Sequence, residues 1–442
     1  MKLTRLVLHR FGDALPGELR FGEGLHLVLG ENGTGRSTLL ELLAHVLAGD
    51  FSSYAGQPFA LDYEMSLPGV ELAVSVRHGA DVSSDFRVRA PDTAAAPAVE
   101  VAGESATALR SLRAPADSGT PGSGLHARVE VELALSQPAS TLRMCATGAG
   151  IAWEVDGVAA WTQGMEWSVL DRPVWVLLML SVPRLGKELR ERLHGLLRHV
   201  FLLGPARFDE GLEAYARLRE VHFGLELREG ELAPLGLMHL PPWLARALRE
   251  RVERAPLGDA LEVEAEEAPD GFLARFCALA GFRGGRVRLG VLDAQRSADG
   301  GGRVELGGLS LRLTREDGAE VTEAGLGWGQ RRLLTFLYYL DLNADFCVAD
   351  ELPAGLHPRW LEACVSALGQ RQAFVSGAGP LLAELLPPLP AEALRRALVV
   401  CRRALVEGRE RYAWEHPTAE QAAELARSPT ALPARLRALG WA

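Results

Sequence analysis

The chain has 442 residues, 48% of them hydrophobic, with 57 acidic against 47 basic side chains and a net charge of −10. That much apolar material supports one large core or two smaller ones and excludes a disordered or fibrous chain. The acidic balance argues against non-specific coating of nucleic acid and leaves local basic surfaces open.

The longest apolar run, Val174–Val182, is interrupted by Ser181 and closed by Pro183, well short of the ~18 apolar residues a membrane span needs. Met1–Gly12 interleaves charged and apolar residues without the apolar core of an export signal, so a cytoplasmic protein with no membrane partner is expected. The cysteines Cys145, Cys277, Cys347, Cys364 and Cys401 are scattered without metal-knuckle spacing, and buried free thiols are expected.

In chain order, Leu3, Leu6 and Leu8 alternate with polar residues in the manner of a strand, Glu18–Phe21 follows, and Leu25–Leu29 reads as a buried strand. The glycine-rich turn Gly30–Gly35 comes next, and then a helix, Ser37–Leu47, with leucines at 39, 40, 42, 43 and 47. From Leu61 to Trp161 the pattern is mostly strand-like, broken by an Ala-, Pro-, Ser- and Gly-rich insertion at about 91–124. Between Asp171 and Phe282, the stretches Lys187–Val200, Phe208–Val221 and Pro242–Arg254 have helical spacing, which predicts a helical lobe. A glycine-rich hinge at Asp299–Gly302 precedes two short strands, Val304–Leu306 and Leu309–Thr314, and a second α/β half runs from there to Cys401. The expected segments are therefore 1–170, 171–302 and 303–442.

Gly30, Gly35, Arg36 and Ser37 fit the Walker A pattern, with arginine at its lysine position. In such a loop backbone N–H groups curl round a β-phosphate, the helix dipole favours the anion, and the hydroxyl binds Mg²⁺. Asn32, Gly33, Thr34, Gly35, Arg36, Ser37 and Thr38 are the candidate phosphate-binding residues. Phe346–Ala349 is an apolar strand ending in Asp350, a candidate Mg²⁺ ligand with Ser37, and Glu351, a candidate general base. Upstream, Leu326, Gly327, Trp328, Gly329 and Gln330 open a helix in a pattern like the ABC signature, whose N-terminus meets a γ-phosphate held by another subunit.

These motifs, with the run Ala349–Pro358 and the opening segments Leu3–Gly12 and Leu19–Gly33, resemble the RecF/SMC/OLD group of ABC ATPases over residues 1–60 and 303–405. Leu202–Arg207 is similar to a strand end of the same group. The resemblance implies an α/β ABC-type head with a β-rich N-terminal lobe and an inserted helical lobe. It also implies Mg-ATP, two composite sites in a homodimer, contact with DNA, and a separate effector such as a nuclease in antiphage defence or DNA repair. The chain departs from the group at Arg36, at Gly327 where the signature has serine, and at Ala378 where a switch histidine is expected. All three bear on the γ-phosphate, so retained binding with slow hydrolysis is expected. A transporter-type ATPase subunit and a nucleotide-free scaffold are the alternatives. Arg184, Lys187, Arg190, Arg192 and Arg198, with His194 and His199, form either a solvated helix face or a phosphate contact. Trp153, Trp161, Trp167 and Trp175 read as core, and His357 reads as a turn residue shaping a subunit contact.

Overall fold

A computed structural model describes residues 1–82, 125–136, 139–164, 168–180, 187, 190, 191, 193, 207–208, 223–228, 231–234, 241, 243–244, 247–248, 251, 260–296, 302–377, 381–427 and 432–441. They group into two compact units, one formed by the described residues before 202 together with Gln372–Ala442, the other by those of Leu202–Arg371. The first unit opens with β1 (Lys2–Phe11), β2 (Gly17–Arg20), β3 (Leu25–Leu29) and helix α1 (Arg36–Ala48). It continues with β4 (Phe59–Leu67), β5 (Val70–Gly79), β6 (His126–Ser136), β7 (Ala139–Thr147), β8 (Gly150–Val155) and β9 (Val158–Gln163). All of these strands except β3 form one antiparallel sheet in the order β2-β1-β4-β5-β6-β7-β8-β9. Its register lines up Tyr63, Val74, Val131, Met144 and Trp153 as direct partners on successive strands of one buried face. The apolar run after β9 forms helix α2 (Val174–Met179), with Val174–Leu178 buried and the Trp175 ring against Gly49.

The second unit contains β10 (Phe223–Arg228), β11 (Glu231–Pro234), β12 (Ala260–Glu264), helix α3 (Phe272–Ala280), β13 (Gly284–Arg296), β14 (Gly302–Thr314) and β15 (Glu320–Thr322). The strands pair in the order β11-β10-β14-β13-β12, with β15 on β14. This differs from the expected helical lobe: Leu261 and Val263, and Val287, Leu289 and Val291, are buried at a period of two, and that alternation is satisfied by a sheet. The two short strands expected at Val304–Thr314 are one strand, which passes through Gly308 at φ 62° and pairs with β13 across register shifts. Of the predicted helices Lys187–Val200, Phe208–Val221 and Pro242–Arg254, only single residues or short pieces are described. The insertion at 91–124 and the segment Leu202–Ala206 lie outside the described residues, as do Asp299–Gly301, Arg184, Arg192, Arg198, His194, His199 and Trp167. The unit closes with helix α4 (Trp328–Leu342), β16 (Phe346–Ala349) and helix α5 (Pro358–Leu368). Leu333, Leu334, Phe336, Leu337 and Leu340 of α4 are all buried, as their spacing predicts.

The chain then returns to the first unit as β17 (Gln372–Ser376), α6 (Leu381–Glu384), α7 (Ala391–Ala397), β18 (Leu398–Val406), β19 (Arg409–Glu415), α8 (Ala419–Ala426) and α9 (Leu432–Ala438). Here β3 is flanked by β17 and β18, both parallel to it, and β19 pairs antiparallel with β18. Buried Gln372 ties this sheet to β1: its Oε1 accepts from the Leu3 N–H at 2.8 Å, and its Nε2 donates to the Leu3 and Gly22 carbonyls, each at 2.8 Å. Parallel strands require crossover connections, and α1 opens the long one that leaves β3, burying Leu39, Leu40, Leu42, Leu43, Val46 and Leu47.

Candidate nucleotide site

In open α/β sheets, ligands bind beyond the carboxyl ends of parallel strands, and β3 ends at Leu29 in that position. The turn that follows needs backbone conformations that L side chains avoid: Gly30, Gly33 and Gly35 have φ of 144°, 76° and 85°. Each glycine also has a neighbour where a Cβ would stand. At Gly30 it is the Cys401 carbonyl oxygen at 2.4 Å, at Gly33 the Arg403 Nη2 at 2.3 Å, and at Gly35 the Tyr412 ring at 2.9 Å with Trp414 Nε1 at 3.2 Å.

Internal bonds close the turn. The Thr34 hydroxyl donates to the Glu31 carbonyl at 2.7 Å, and the Gly30 N–H donates to the Trp441 carbonyl at 3.0 Å. Arg36 folds back over the loop, with Nη2 donating to Asn32 Oδ1 at 3.1 Å and Nη1 to the Gly377 carbonyl at 3.5 Å. Burial pushes the Cys401 thiol up to about 12, and the nearby Arg36 charge opposes that shift. Ser37 and Thr38 are exposed on the first turn of α1, where helix N–H groups lack intrahelical acceptors. The cradle suits a phosphate: small residues, a helix N-terminus and a hydroxyl are collected at one strand end.

The remaining candidate residues lie in the second unit. Gly327 caps α4, and its N–H donates to Gln330 Oε1 at 3.1 Å, while Leu326 is buried beside it. Gly329 sits against the Gly355 carbonyl, where a Cβ would come within 2.6 Å of the oxygen. The Trp328 ring fills the space that a side chain at Gly355 would need, and Gly355 itself has φ 70°. The signature-like turn is thus packed directly on the turn that follows β16.

Arg332, fully buried, donates from Nη2 to the main-chain carbonyls of Glu351 at 2.6 Å and Asp350 at 3.3 Å, and its guanidinium lies 4.8 Å from the Phe208 ring centroid. Glu351 has φ 48°, a left-handed conformation that costs a non-glycine residue about 1–2 kcal/mol. The Arg332 bond to its carbonyl helps hold that conformation. Below it, the Val348 N–H donates to the Tyr339 hydroxyl at 2.9 Å, and β16 takes the Phe208 N–H on the Val348 carbonyl at 2.8 Å. His357 caps α5, its Nδ1 accepting from the Arg359 N–H at 3.3 Å. Ala378 lies outside the described residues.

The structure therefore gathers Gly30–Thr38 in the first unit, and Leu326, Gly327, Gly329 and Gln330 with Asp350 and Glu351 in the second. Sequence reasoning missed Arg332 and Arg403. Arg332 carried a faint signal, standing two residues after Gln330 on the buried side of a helix. Arg403 carried none, since nothing local to β18 points to a loop 370 residues earlier.

Parallel strands on both sides of β3 and the glycine turn leading into α1 form an α/β arrangement with a P-loop-like turn. Residues 1–66 match the family model described as an AAA domain. A segment of 49 residues is 47% identical to the DNA replication and repair protein RecF of Magnetococcus marinus, covering 11% of this chain and 13% of the length of that protein. Among solved structures, the Smc head domain with an extended coiled coil bound to the C-terminal domain of ScpA, from Pyrococcus furiosus, aligns at 12% identity and TM-score 0.34 over 96% of this chain and 98% of its own. The Smc head domain with a coiled coil and joint from Pyrococcus yayanosii aligns at 11% identity and TM-score 0.33, over 96% and 99%.

Proposed function

We propose that this chain is an Mg-ATP-binding ATPase head that dimerises around ATP and hydrolyses it slowly. The observation that supports the reading is the turn Gly30–Gly35, whose three positive-φ glycines form a tight loop between a parallel strand and the N-terminus of a helix. Asn32, Gly33, Thr34, Gly35, Arg36, Ser37 and Thr38 would hold the phosphates, and the sequence pattern makes the Ser37 hydroxyl and the Asp350 carboxylate the groups that would hold Mg²⁺. The metal supplies charge neutralisation on the phosphate oxygens. Glu351 orients the attacking water and takes its proton. In a homodimer, Leu326, Gly327, Gly329 and Gln330 of one copy face the nucleotide of the other, so that ATP bound across the interface stabilises the closed clamp.

The loss of a lysine at position 36 and of a serine at 327 removes γ-phosphate contacts, each worth about 10²–10³ in rate. The match to a DNA replication and repair protein supports a role next to DNA in the cytoplasm, as a sensor or regulatory subunit for a separate effector such as a nuclease, in repair or antiphage defence. Two measurements test the reading. Mg-ATP at 100 times its Kd stabilises a binding protein by about 2.7 kcal/mol, so the melting temperature rises with ATP concentration. The Glu351→Gln variant keeps that rise, loses turnover, and gives a dimer mass by light scattering only with ATP. No nucleotide-dependent shift means a nucleotide-free scaffold, and co-purification with a membrane subunit means a transporter-type ATPase.

A further inference from the structure

The carboxy-terminal hairpin β18–β19 touches each of the three loop glycines. The Cys401 carbonyl stands over Gly30, Arg403 over Gly33, and Tyr412 with Trp414 against Gly35. The Arg403 fork donates from Nε to the Gly33 carbonyl at 3.0 Å and from Nη2 to the Asn32 carbonyl at 3.2 Å, while Nη1 lies 3.7 Å from Glu410 Oε2. Arg403 and Tyr412 are opposite one another in the hairpin ladder, so one rung reaches both Gly33 and Gly35. The Gly30 N–H donates to the Trp441 carbonyl, and the Trp441 ring lies 5.2 Å from the Arg402 guanidinium carbon.

We propose that Arg403, held by Glu410, is a positioning residue of the nucleotide site that braces the outer, carbonyl side of the glycine loop so that its N–H groups stay turned inward. The proposal rests on the nucleotide-binding reading above. A loop that presents consecutive N–H groups to an anion turns its carbonyls the other way, and those carbonyls need donors. A planar guanidinium satisfies two neighbouring carbonyls at once, which an ammonium does less well. Gly33 is what admits the fork, since a Cβ there would stand 2.3 Å from Nη2. Glu410 lies across an exposed ion pair from Arg403 and offsets part of its charge, and the two carbonyl bonds are the geometric part of the contribution.

The test compares the full chain with Arg403→Gln, Arg403→Lys and Glu410→Gln by titration with fluorescent ATP and ADP analogues at low and high salt, by melting temperature, and by amide hydrogen exchange over Gly30–Ser37 without nucleotide. Arg403 is half-exposed, so a wild-type melting temperature is expected for each variant. Arg403→Gln should bind both nucleotides about tenfold more weakly at either salt, the loss expected for hydrogen bonds from a charged donor, and should exchange the loop amides faster. Arg403→Lys should recover part of the affinity, and Glu410→Gln should show a smaller loss than Arg403→Gln. Affinity within twofold of the parent, or unchanged exchange, overturns the proposal. A loss that vanishes at high salt also overturns it, because that is the mark of screened attraction. If the parent takes up neither nucleotide, the loop reading itself fails. Faster exchange in Arg403→Gln would then leave Arg403 a structural contact only.

Discussion

Replacing Gly30 by alanine should damage the protein more than the same change at Gly33, although both residues sit in one turn. At Gly30 the backbone has φ 144°, and the added Cβ stands 2.4 Å from the Cys401 carbonyl oxygen and 2.7 Å from the Thr34 hydroxyl. The carbonyl belongs to β18, which is pinned to β3 through Val400 opposite Leu29, so it cannot withdraw without breaking a parallel ladder. The strained dihedral costs about 1–3 kcal/mol. Forcing an atom into a packed site costs about 1–3 kcal/mol more. The sum, about 2–6 kcal/mol, is a large share of the 5–15 kcal/mol that typically holds a domain together. At Gly33, φ is 76° and the obstacle is the tip of a half-exposed arginine, which can swing away. That leaves about 1–2 kcal/mol of backbone strain. Urea unfolding of the two variants beside the parent, followed by far-ultraviolet circular dichroism, measures the difference. A Gly30→Ala protein as stable as Gly33→Ala would refute the claim that β18 walls the loop.

Three further outcomes follow from the same contacts. Burial pushes the His26 imidazole down to about 4, and its neutral form fits its partners: Nε2 accepts from the Gly22 N–H at 3.2 Å while Nδ1 faces the Gly24 carbonyl at 3.1 Å. The unfolded chain therefore binds the proton first. The stability from neutral His26 is complete above pH ~6.5 and drains away as pH falls towards 4, by about 3 kcal/mol in all, and His26→Gln should flatten that part of a pH–stability curve. Arg36→Lys should raise single-turnover hydrolysis by about 10²-fold or more if the fork costs a transition-state contact, and equal rates in the two proteins would remove position 36 from the account of slow turnover. Arg332→Met keeps volume but leaves the Asp350 and Glu351 carbonyls without that donor, at about 1–3 kcal/mol, and should lower both the melting temperature and any turnover that depends on Glu351. A variant with full turnover would show that the Glu351 backbone holds its shape unaided.

Elements set by local pattern were legible without coordinates. Leu25–Leu29 as a buried strand, Gly30–Gly35 as a turn, the helix after it and the apolar strand before Asp350 each follow from a run of side chains read against a period of two or 3.6. Ala260–Glu264 and Gly284–Arg296 misled because helical spacing nearby was extended over residues that alternate, whereas Phe272–Ala280 between them is a helix. Val304–Thr314 read as two strands because Gly307 and Gly308 interrupt the pattern, whereas the long ladder to β13 carries the strand through them.

What the sequence determined by itself is the glycine turn after β3, because three glycines between an apolar run and a helical pattern need no distant partner to be recognised. Only the tertiary structure decided what surrounds that turn. The parallel strands on either side of β3 come from residues more than 340 positions away, and so do the Arg403 fork and the Trp441 carbonyl. Arg332 beneath Asp350 and Glu351 is nearer in sequence, yet it too is revealed only once α4 packs against β16. Hydrogen bonds and close contacts of this kind act over about 3 Å in space and leave no periodic trace along the chain.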